Sequence, residues 1–207
     1  MREIIGEMRE YARINGIPVI RKEMEQLLTA LVFLEKPNRV LELGTAIGYS
    51  AAIIRSVAPE ECVIDTVEND YDMVLRATEY IKRSGHHEYI NIIYGDAPDV
   101  LMNLKSRYDL IFFDAAKNQY NEYLKHSFAL MSPGALLIAD NIHYKGLVRD
   151  TSYNKRKNRT VVLSLRQFIA SITSDERLDT IILDISDGVS LSRFKGCEKT
   201  DGENQKS

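Results

Sequence analysis

Two acidic side chains and one amide follow two apolar, β-type runs of the sequence. Asp114 ends the fourth such run, and Asp140 and Asn141 end the fifth. Neighbouring strands lie roughly 4.8 Å apart, so the three side chains converge on one small volume if these strands are neighbours. Three oxygen ligands without His or Cys suit a hard cation such as Mg²⁺. The pattern therefore predicts a divalent-cation site at the ends of these strands.

A lysine stands three residues after the first of these carboxylates. Lys117 could reach the same volume as Asp114, and beside a divalent cation its ammonium form is disfavoured. Lys117 could then act as a general base towards a hydroxyl group. The alternative is structural: Asp114 and Lys117 form a surface ion pair, and Asp140 begins a loop. This structural alternative accounts for Asp114 with Lys117 alone, or for Asp140 with Asn141 alone. It accounts poorly for the presence of both motifs together.

A glycine-containing loop, ELGTAIGYS, follows the first apolar run and opens a helical stretch. Gly44 and Gly48 allow a tight turn and close approach of a ligand to the backbone, while the helix start offers free N–H groups. A nicotinamide fingerprint would need glycines at positions 46 and 49, where Ala46 and Tyr49 stand. The loop fits better the acidic-x-Gly-x-Gly-x-Gly pattern of S-adenosylmethionine-dependent methyltransferases. Ala46 is a mild departure from it if position 46 does not need a positive φ.

Two more carboxylates end the second and third apolar runs. Glu68 lies 20 residues beyond Gly48, where a carboxylate can accept hydrogen bonds from both hydroxyls of a ribose. Asp96 stands where a side chain and a backbone N–H can face an adenine edge. Each carboxylate alone could simply be a solvated strand end or a helix N-cap. Together with the glycine loop, at the carboxyl ends of strands, they favour a cofactor site.

The elements that must position these residues alternate along the chain. Residues 2–14 and 21–34 are predicted to be helices from apolar spacings of three and four, with a break at Pro18. Apolar runs then predict five strands, at 39–44, 63–68, 90–95, 109–114 and 135–140. Helical stretches follow the first four of these runs, at 49–57, 71–83, 97–105 and 120–131. This alternation is typical of a parallel sheet that is covered on both faces.

The C-terminal part of the chain breaks the alternation. A helix is predicted near 160–173, and the runs 180–185 and 189–194 read as two strands joined by an Asp-Gly turn. The last strand should therefore run antiparallel to its neighbour. Residues 196–207 are polar and are expected to form a disordered tail.

Composition limits the classes of protein that are possible. The 207 residues are 44% hydrophobic and 28% charged, which is ordinary for a globular chain. No run of 18 apolar residues and no apolar signal segment is present, so we expect a cytoplasmic protein without a membrane contact. Cys62 and Cys197 show no metal-like or redox-like spacing. The net charge of −3, from 27 Lys+Arg and 30 Asp+Glu, argues against a generally basic nucleic-acid binder.

Local charge changes that conclusion, because a basic segment directly follows the Asp140-Asn141 pair. Its cations should border the mouth of the site and suit a phosphate backbone, with Tyr144 or Tyr153 available to stack on a base. A solvated loop with an ordinary run of basic residues is the alternative. The candidate substrate contacts are Lys145, Arg149, Lys155, Arg156, Lys157 and Arg159.

These residues resemble the cation-dependent O-methyltransferase family that includes the catechol and caffeoyl-CoA enzymes. The resemblance covers nearly the whole chain, through ELGTAIGYS, TVEND, GDA, FFDAAKNQY, ADNI and ISDGVSLSRF. It implies an α/β, Rossmann-like class I methyltransferase fold with a seven-stranded, mostly parallel sheet, a C-terminal antiparallel hairpin strand and helices on both faces. It also implies a single S-adenosylmethionine-dependent domain over residues 1–195, with N-terminal helices in residues 1–36.

The same resemblance implies roles for individual residues. Lys117 and Asp114 would be catalytic, with Lys117 close to the reacting hydroxyl, and Asp114, Asp140 and Asn141 would bind Mg²⁺ or another divalent cation. A homodimer is also implied. Contacts with S-adenosylmethionine are implied for Ile20, Glu42, Gly44, Ser50, Glu68, Asp96, Ala97 and Asp114.

Within this family, DAAKxxY and the compact size resemble most closely the bacterial tRNA 5-hydroxyuridine methyltransferases. The leading expectation is therefore Mg²⁺-dependent methylation of 5-hydroxyuridine at the tRNA wobble position, giving 5-methoxyuridine. The first alternative is methylation of a small catechol-like or CoA-linked phenol. The others are a nicotinamide-dependent oxidoreductase, which the glycine pattern opposes, and a catalytically silent module that binds S-adenosylmethionine.

Overall fold

The computed structural model describes residues 1–150, 152–153 and 155–196. Seven strands form one sheet in the order β3-β2-β1-β4-β5-β7-β6. Strands β1 to β5 are parallel, and β7 is antiparallel to both β5 and β6. The strands are β1 Arg39–Leu43, β2 Val63–Glu68, β3 Ile90–Tyr94, β4 Tyr108–Phe113, β5 Met131–Ala139, β6 Leu178–Leu183 and β7 Val189–Phe194. The predicted mostly parallel sheet with a C-terminal antiparallel hairpin is confirmed.

Within the residues that the structure describes, seven helices cover the two faces of the sheet. Helices α1 to α4 pack on one face and α5 to α7 on the other, so each face has its own apolar core. A short 3₁₀ turn, Lys117–Gln119, precedes α6. The helices are α1 Arg2–Asn15, α2 Lys22–Glu35, α3 Tyr49–Val57, α4 Tyr71–Ser84, α5 Ala97–Asn103, α6 Tyr120–Ser127 and α7 Arg159–Ser174.

The sixth helix and the fifth strand differ from the sequence prediction. Helix α6 ends at Ser127 rather than at 131, and β5 begins at Met131 rather than at 135. Apolar residues continue at helical spacing beyond Ser127, but Leu130 is buried in the turn before β5 and Met131 is buried as its first residue. Periodicity alone cannot separate these two uses of a short apolar run.

The apolar face of α1 is used within the chain. Ile5, Met8 and Ala12 are buried in the core that α1 shares with α2, α3 and the sheet. The apolar face of α1 therefore packs on α3 and α4 of its own chain. The homodimer itself stays a prediction.

Two further observations bear on the sequence predictions. Among the described residues, no helix has both the length and the apolar character that crossing a membrane requires. Cys62 is a buried free thiol, and burial raises its pKa to about 11. Cys197 and the predicted tail from residue 197 onwards lie outside the described residues.

Candidate active site

The register of the parallel strands aligns their carboxyl ends. Leu43 pairs with Val67 on one side and with Phe113 on the other, and Phe113 pairs with Ala139. Backbone hydrogen bonds continue this alignment past the strands, since the Asp114 N–H donates to the Leu43 carbonyl at 2.9 Å. The residues directly beyond or at these ends therefore lie side by side: Gly44, Glu68, Asp114 and Asp140.

A cleft with a volume of about 560 Å³ opens over this edge of the sheet. Its walls come from the segment between α1 and α2, the glycine loop, the strand ends and the turn between β6 and β7. The structure brings most of the predicted site residues together there. Those that line the cleft are Ile20, Gly44, Ser50, Glu68, Asp96, Ala97, Asp114, Lys117, Asp140, Asn141 and Lys145.

The glycine loop is shaped by close backbone contacts. A Cβ on Gly44, whose φ is +101°, would lie 2.5 Å from the Asp114 carbonyl oxygen, so no larger residue fits between β1 and β4. Ala46 also has a positive φ, of 46°, and its N–H donates to Glu68 Oε2 at 2.7 Å. Position 46 therefore needs the left-handed conformation that Gly adopts readily and Ala does not. The condition under which Ala46 would be a mild departure is not met.

Glu42 lies beneath the glycine loop and is not among the residues that line the cleft. Its side chain is fully buried, and Oε2 accepts a hydrogen bond from Thr66 Oγ1 at 2.6 Å. Thr66 Oγ1 in turn lies 2.6 Å from Thr45 Oγ1, which connects Glu42 to the loop. Burial raises the pKa of Glu42 to about 7, although hydrogen bonds from Ser50 and Thr66 oppose the shift. Among the described residues, Glu42 Oε1 has no hydrogen-bond partner.

The predicted carboxylate, amide and lysine cluster is assembled. Lys117 Nζ donates to Asp114 Oδ1 at 2.7 Å, with both side chains mostly covered. Burial opposes the charge of Lys117, but the oxygens of Tyr120 and Asp114 outweigh it and raise the pKa of Lys117. Asp140 is 1% exposed, and its pKa is raised to about 7 by burial and by the negative charge of Asp114. The surface ion pair considered from the sequence is therefore part of the cleft.

The donor atoms suit a hard cation. Two carboxylates and one amide face the cleft, and the repulsion between Asp114 and Asp140 is relieved when a cation binds them. Across residues 1–150, 152–153 and 155–196, no three His, Cys, Asp or Glu side chains are grouped to hold a metal. The candidate set contains only two such residues, because its third donor is the amide of Asn141.

Tyr120 ties together the two strands that carry the carboxylates. Its hydroxyl is buried and lies 2.9 Å from the Phe113 carbonyl oxygen and 3.1 Å from the Asp140 carbonyl oxygen. The Tyr120 ring also lies under Lys117, with Nζ 5.3 Å from the ring centroid. Sequence reasoning gave Tyr120 no role of its own. The signal was its position three residues after Lys117, on the same side of the first helical turn.

The turn between β6 and β7 supports the loop that carries Asn141. Asn141 has a φ of 58°, and the N–H groups of the next two residues donate to the carbonyls of Gly188 and Asp187. The Asp187 carboxylate accepts from the Lys145 N–H at 2.8 and 2.7 Å and lines the cleft. The predicted Asp-Gly turn thus contributes to the site, a role that hairpin spacing alone could not indicate.

Comparison with known proteins identifies the family. A family model described as O-methyltransferase matches residues 2–195. The chain belongs to the O-methyltransferase family. The catechol O-methyltransferase of Niastella koreensis is 31% identical over 191 residues, which cover 87% of this chain and 85% of the relative. A caffeoyl-CoA O-methyltransferase of Populus kitakamiensis is 28% identical over 206 residues, which cover 92% of this chain and 86% of the relative.

Solved structures agree with the family assignment. A methyltransferase of Podospora anserina bound to S-adenosylhomocysteine matches with a TM-score of 0.84 and 27% identity, over 93% of this chain and 88% of that chain. An O-methyltransferase of Bacillus cereus, also with S-adenosylhomocysteine, has a TM-score of 0.84 at 23% identity and so supports the fold. It covers 93% of this chain and 91% of that chain. The protein is an S-adenosylmethionine-dependent O-methyltransferase with the class I fold.

The basic segment of this O-methyltransferase is only partly free for a substrate. The Arg149 guanidinium pairs with Asp184, and Arg166 donates to the carbonyl oxygens of Val148 and Asp150. Of the predicted substrate contacts, Lys145 alone lines the cleft within the described part of the chain. The other candidates, exposed and further along the segment, are Lys155, Arg156, Lys157 and Arg159.

The strained Ala46 gives a first test of the loop. Ala46→Gly is expected to stabilise this O-methyltransferase by about 0.5–1 kcal/mol, because relief of the left-handed strain exceeds the entropy that Gly adds to the unfolded chain. Urea unfolding of both proteins measures the difference. The matched control is Ala170→Gly on the exposed face of α7, which should destabilise by about 1 kcal/mol. Equal losses in both variants would contradict the strain at Ala46.

Proposed function

We propose that this O-methyltransferase methylates one hydroxyl of a small phenol that carries a neighbouring oxygen, either a catechol-like ring or a CoA-linked phenol. The observation that carries the proposal is a single cleft that contains both the glycine loop and the Asp114, Asp140, Asn141 and Lys117 cluster. Relatives named for catechol and for caffeoyl-CoA support this substrate class. A volume of about 560 Å³ suits a cofactor with part of a small substrate.

A divalent cation belongs to this proposal. Asp114, Asp140 and Asn141 would hold it, since their oxygen donors suit Mg²⁺ and their two carboxylates lie close enough to perturb each other. When bound, such a cation supplies positive charge that lowers the pKa of a coordinated hydroxyl. The chain's own contribution is to keep these donors together, through the Tyr120 hydroxyl and the turn that contains Asp187.

Methyl transfer to a hydroxyl requires one group that accepts the hydroxyl proton. The hydroxyl oxygen of the substrate forms a bond to the methyl carbon, the bond from that carbon to the sulfonium sulfur breaks, and the hydroxyl proton leaves. Lys117 Nζ faces the cleft beside Asp114, and without a cation the surroundings of Lys117 raise its pKa. A divalent cation held by Asp114 would disfavour the ammonium form, and the neutral amine would then take this proton. The walls of the cleft fix the distance and direction between the two reacting groups.

A second candidate function is methylation of 5-hydroxyuridine at the tRNA wobble position, giving 5-methoxyuridine. The observation that favours it is a row of exposed cations, Lys155, Arg156 and Lys157, on the segment that leaves the cleft after Lys145. Such cations suit phosphates. Tyr144 lines the cleft and could stack on a base, whereas Tyr153 donates its hydroxyl to the Lys157 carbonyl. CoA also carries phosphates, so basic charge fits both candidates.

Methyl transfer to matched acceptors separates these functions. Labelled S-adenosylmethionine would be offered with caffeoyl-CoA, with a catechol, with coumaroyl-CoA as the acceptor that lacks the neighbouring hydroxyl, and with undermodified tRNA. Each reaction would be run with Mg²⁺ and with excess chelator. We expect transfer to the vicinal diols, roughly 100-fold less to coumaroyl-CoA, and loss of transfer with chelator.

The other outcomes are equally informative. Transfer to tRNA alone, with 5-methoxyuridine found by nucleoside mass spectrometry, would reject the small-molecule function and support the second candidate. Full activity in chelator would reject the role of a divalent cation. Binding of S-adenosylmethionine without transfer to any acceptor would overturn both candidate substrates.

A further inference from the structure

The cofactor cleft has a wall that does not belong to the sheet. The segment between α1 and α2, residues 16–21, contributes Pro18, Val19, Ile20 and Arg21 to the lining of the cleft. This segment has no strand partner and must be held by the two helices that flank it. The position of the wall therefore depends on how α1 and α2 are fastened to the rest of the domain.

Three side chains from three helices form that fastening. Arg9 on α1 donates through Nε to the Tyr49 hydroxyl at 2.8 Å, and the same hydroxyl donates to Glu25 Oε2 on α2 at 2.9 Å. The Arg9 guanidinium also donates to both oxygens of Glu25, at 2.8 and 2.6 Å. Each of the three residues thus contacts the other two, and the triangle joins α1 and α2, which flank the segment 16–21, to the start of α3.

Tyr49 is the member of the triangle that reaches the cofactor cleft. It is the first residue of α3, it follows Gly48 of the glycine loop, and its ring lines the cleft. Only 2% of Tyr49 is exposed, and burial raises its pKa to about 12, so the hydroxyl stays neutral and can accept one hydrogen bond while it donates another. A shift of α1 or α2 would therefore displace Tyr49 and, with it, the adjacent glycine loop.

The triangle of Arg9, Glu25 and Tyr49 stabilises one position of the segment 16–21 but still allows the segment to move. The Arg9 side chain is 56% exposed, which screens its charge, whereas the Glu25 side chain is only 21% exposed. Loss of one hydrogen bond of this kind is expected to change an equilibrium by a factor of about five to ten. A change of this size is what we expect from a residue that adjusts the affinity for the cofactor without contacting it.

We propose that Arg9 and Glu25 are positioning residues for the cofactor, acting through the Tyr49 hydroxyl to hold the segment 16–21 against the cleft. Cofactor binding and closure of this wall are then coupled, because Tyr49 contacts both. The proposal concerns the binding of S-adenosylmethionine and of its product, and it does not depend on which acceptor is methylated.

Binding of S-adenosylhomocysteine to the full chain tests this coupling without any acceptor. Calorimetry is expected to show about tenfold weaker binding for Arg9→Met and for Tyr49→Phe, which keeps the ring and loses only the hydroxyl. The double variant should be no weaker than Tyr49→Phe alone, since Arg9 acts through the hydroxyl. Arg9→Lys should recover part of the affinity. The matched control is Arg13→Met, which removes an exposed ion pair with Glu10 on the same helix and should bind normally.

Limited proteolysis reports on the wall itself. Trypsin can cut after Arg21 and Lys22, and S-adenosylhomocysteine should slow this cut in the unmodified protein and in Arg13→Met. In Tyr49→Phe the protection should fall several-fold, even at saturating ligand. Unchanged affinity and protection in Tyr49→Phe would overturn the proposal. Additive losses in the double variant would also overturn it, because they would show that Arg9 acts independently of Tyr49.

Discussion

Replacing Asp140 by Asn is expected to abolish methyl transfer while it stabilises the metal-free protein above pH 7. Burial and the charge of Asp114 raise the pKa of Asp140 to about 7, so the folded protein binds this proton more tightly than the unfolded chain does. The protonated Asp140 carboxyl therefore makes its full contribution to the free energy of unfolding below about pH 4. This contribution falls as the pH rises and is absent above pH 7. Asn cannot ionise, so it removes a cost of roughly 4 kcal/mol above pH 7.

The two effects are measured separately. Urea unfolding in excess chelator at pH 5 and pH 8 gives the stability, and initial rates with Mg²⁺ give the activity, for which we expect a fall of at least roughly 100-fold. The control is Asp179→Asn, an exposed carboxylate paired with Lys195 at 2.8 Å, which should change neither. If Asp140→Asn were less stable than the unmodified protein at pH 8, ionisation of Asp140 would not be costly in the folded state. If the variant kept its activity, Asp140 would not be needed for methyl transfer.

The strand ends were predictable because two local rules define them. Apolar β-branched runs set the strands, and the register of a parallel sheet places the residues after them along one edge. Asp114 and Asp140 were therefore predicted to converge from their positions alone, and the cleft contains both. The ion pair between Asp114 and Lys117 that the structural alternative proposed is present, but it is not a surface pair, because Lys117 also lies over the Tyr120 ring and is mostly covered.

Backbone conformation and tertiary contacts were not predictable in the same way. The sequence shows Ala46 but not its positive φ, nor the contact of its N–H with the Glu68 carboxylate on the next strand. The triangle of Arg9, Glu25 and Tyr49 joins residues that are 16, 24 and 40 positions apart, and no periodic pattern encodes such contacts. They arise only when α1 and α2 pack against α3.

Loss of Lys117 is the second change from which we expect a large effect. Lys117→Met should lower kcat by roughly 100-fold or more, because it removes the proton acceptor that we propose for the reacting hydroxyl. It should also destabilise the protein, since Asp114 loses the ammonium group that lies 2.7 Å from its Oδ1. The matched control is Lys125→Met, an exposed lysine on α6, which should preserve both kcat and stability.

Lys117→Arg separates the two roles that Lys117 could have. A guanidinium keeps the positive charge beside Asp114 but does not give up a proton in proteins, so it cannot act as a base. We therefore expect urea unfolding to show that Arg restores most of the stability lost in Lys117→Met, while kcat stays low. If Arg instead restored kcat, the positive charge alone would suffice, and the proton would have to leave by another route. The pair of variants thus distinguishes a general base from a charge that only holds Asp114 in place.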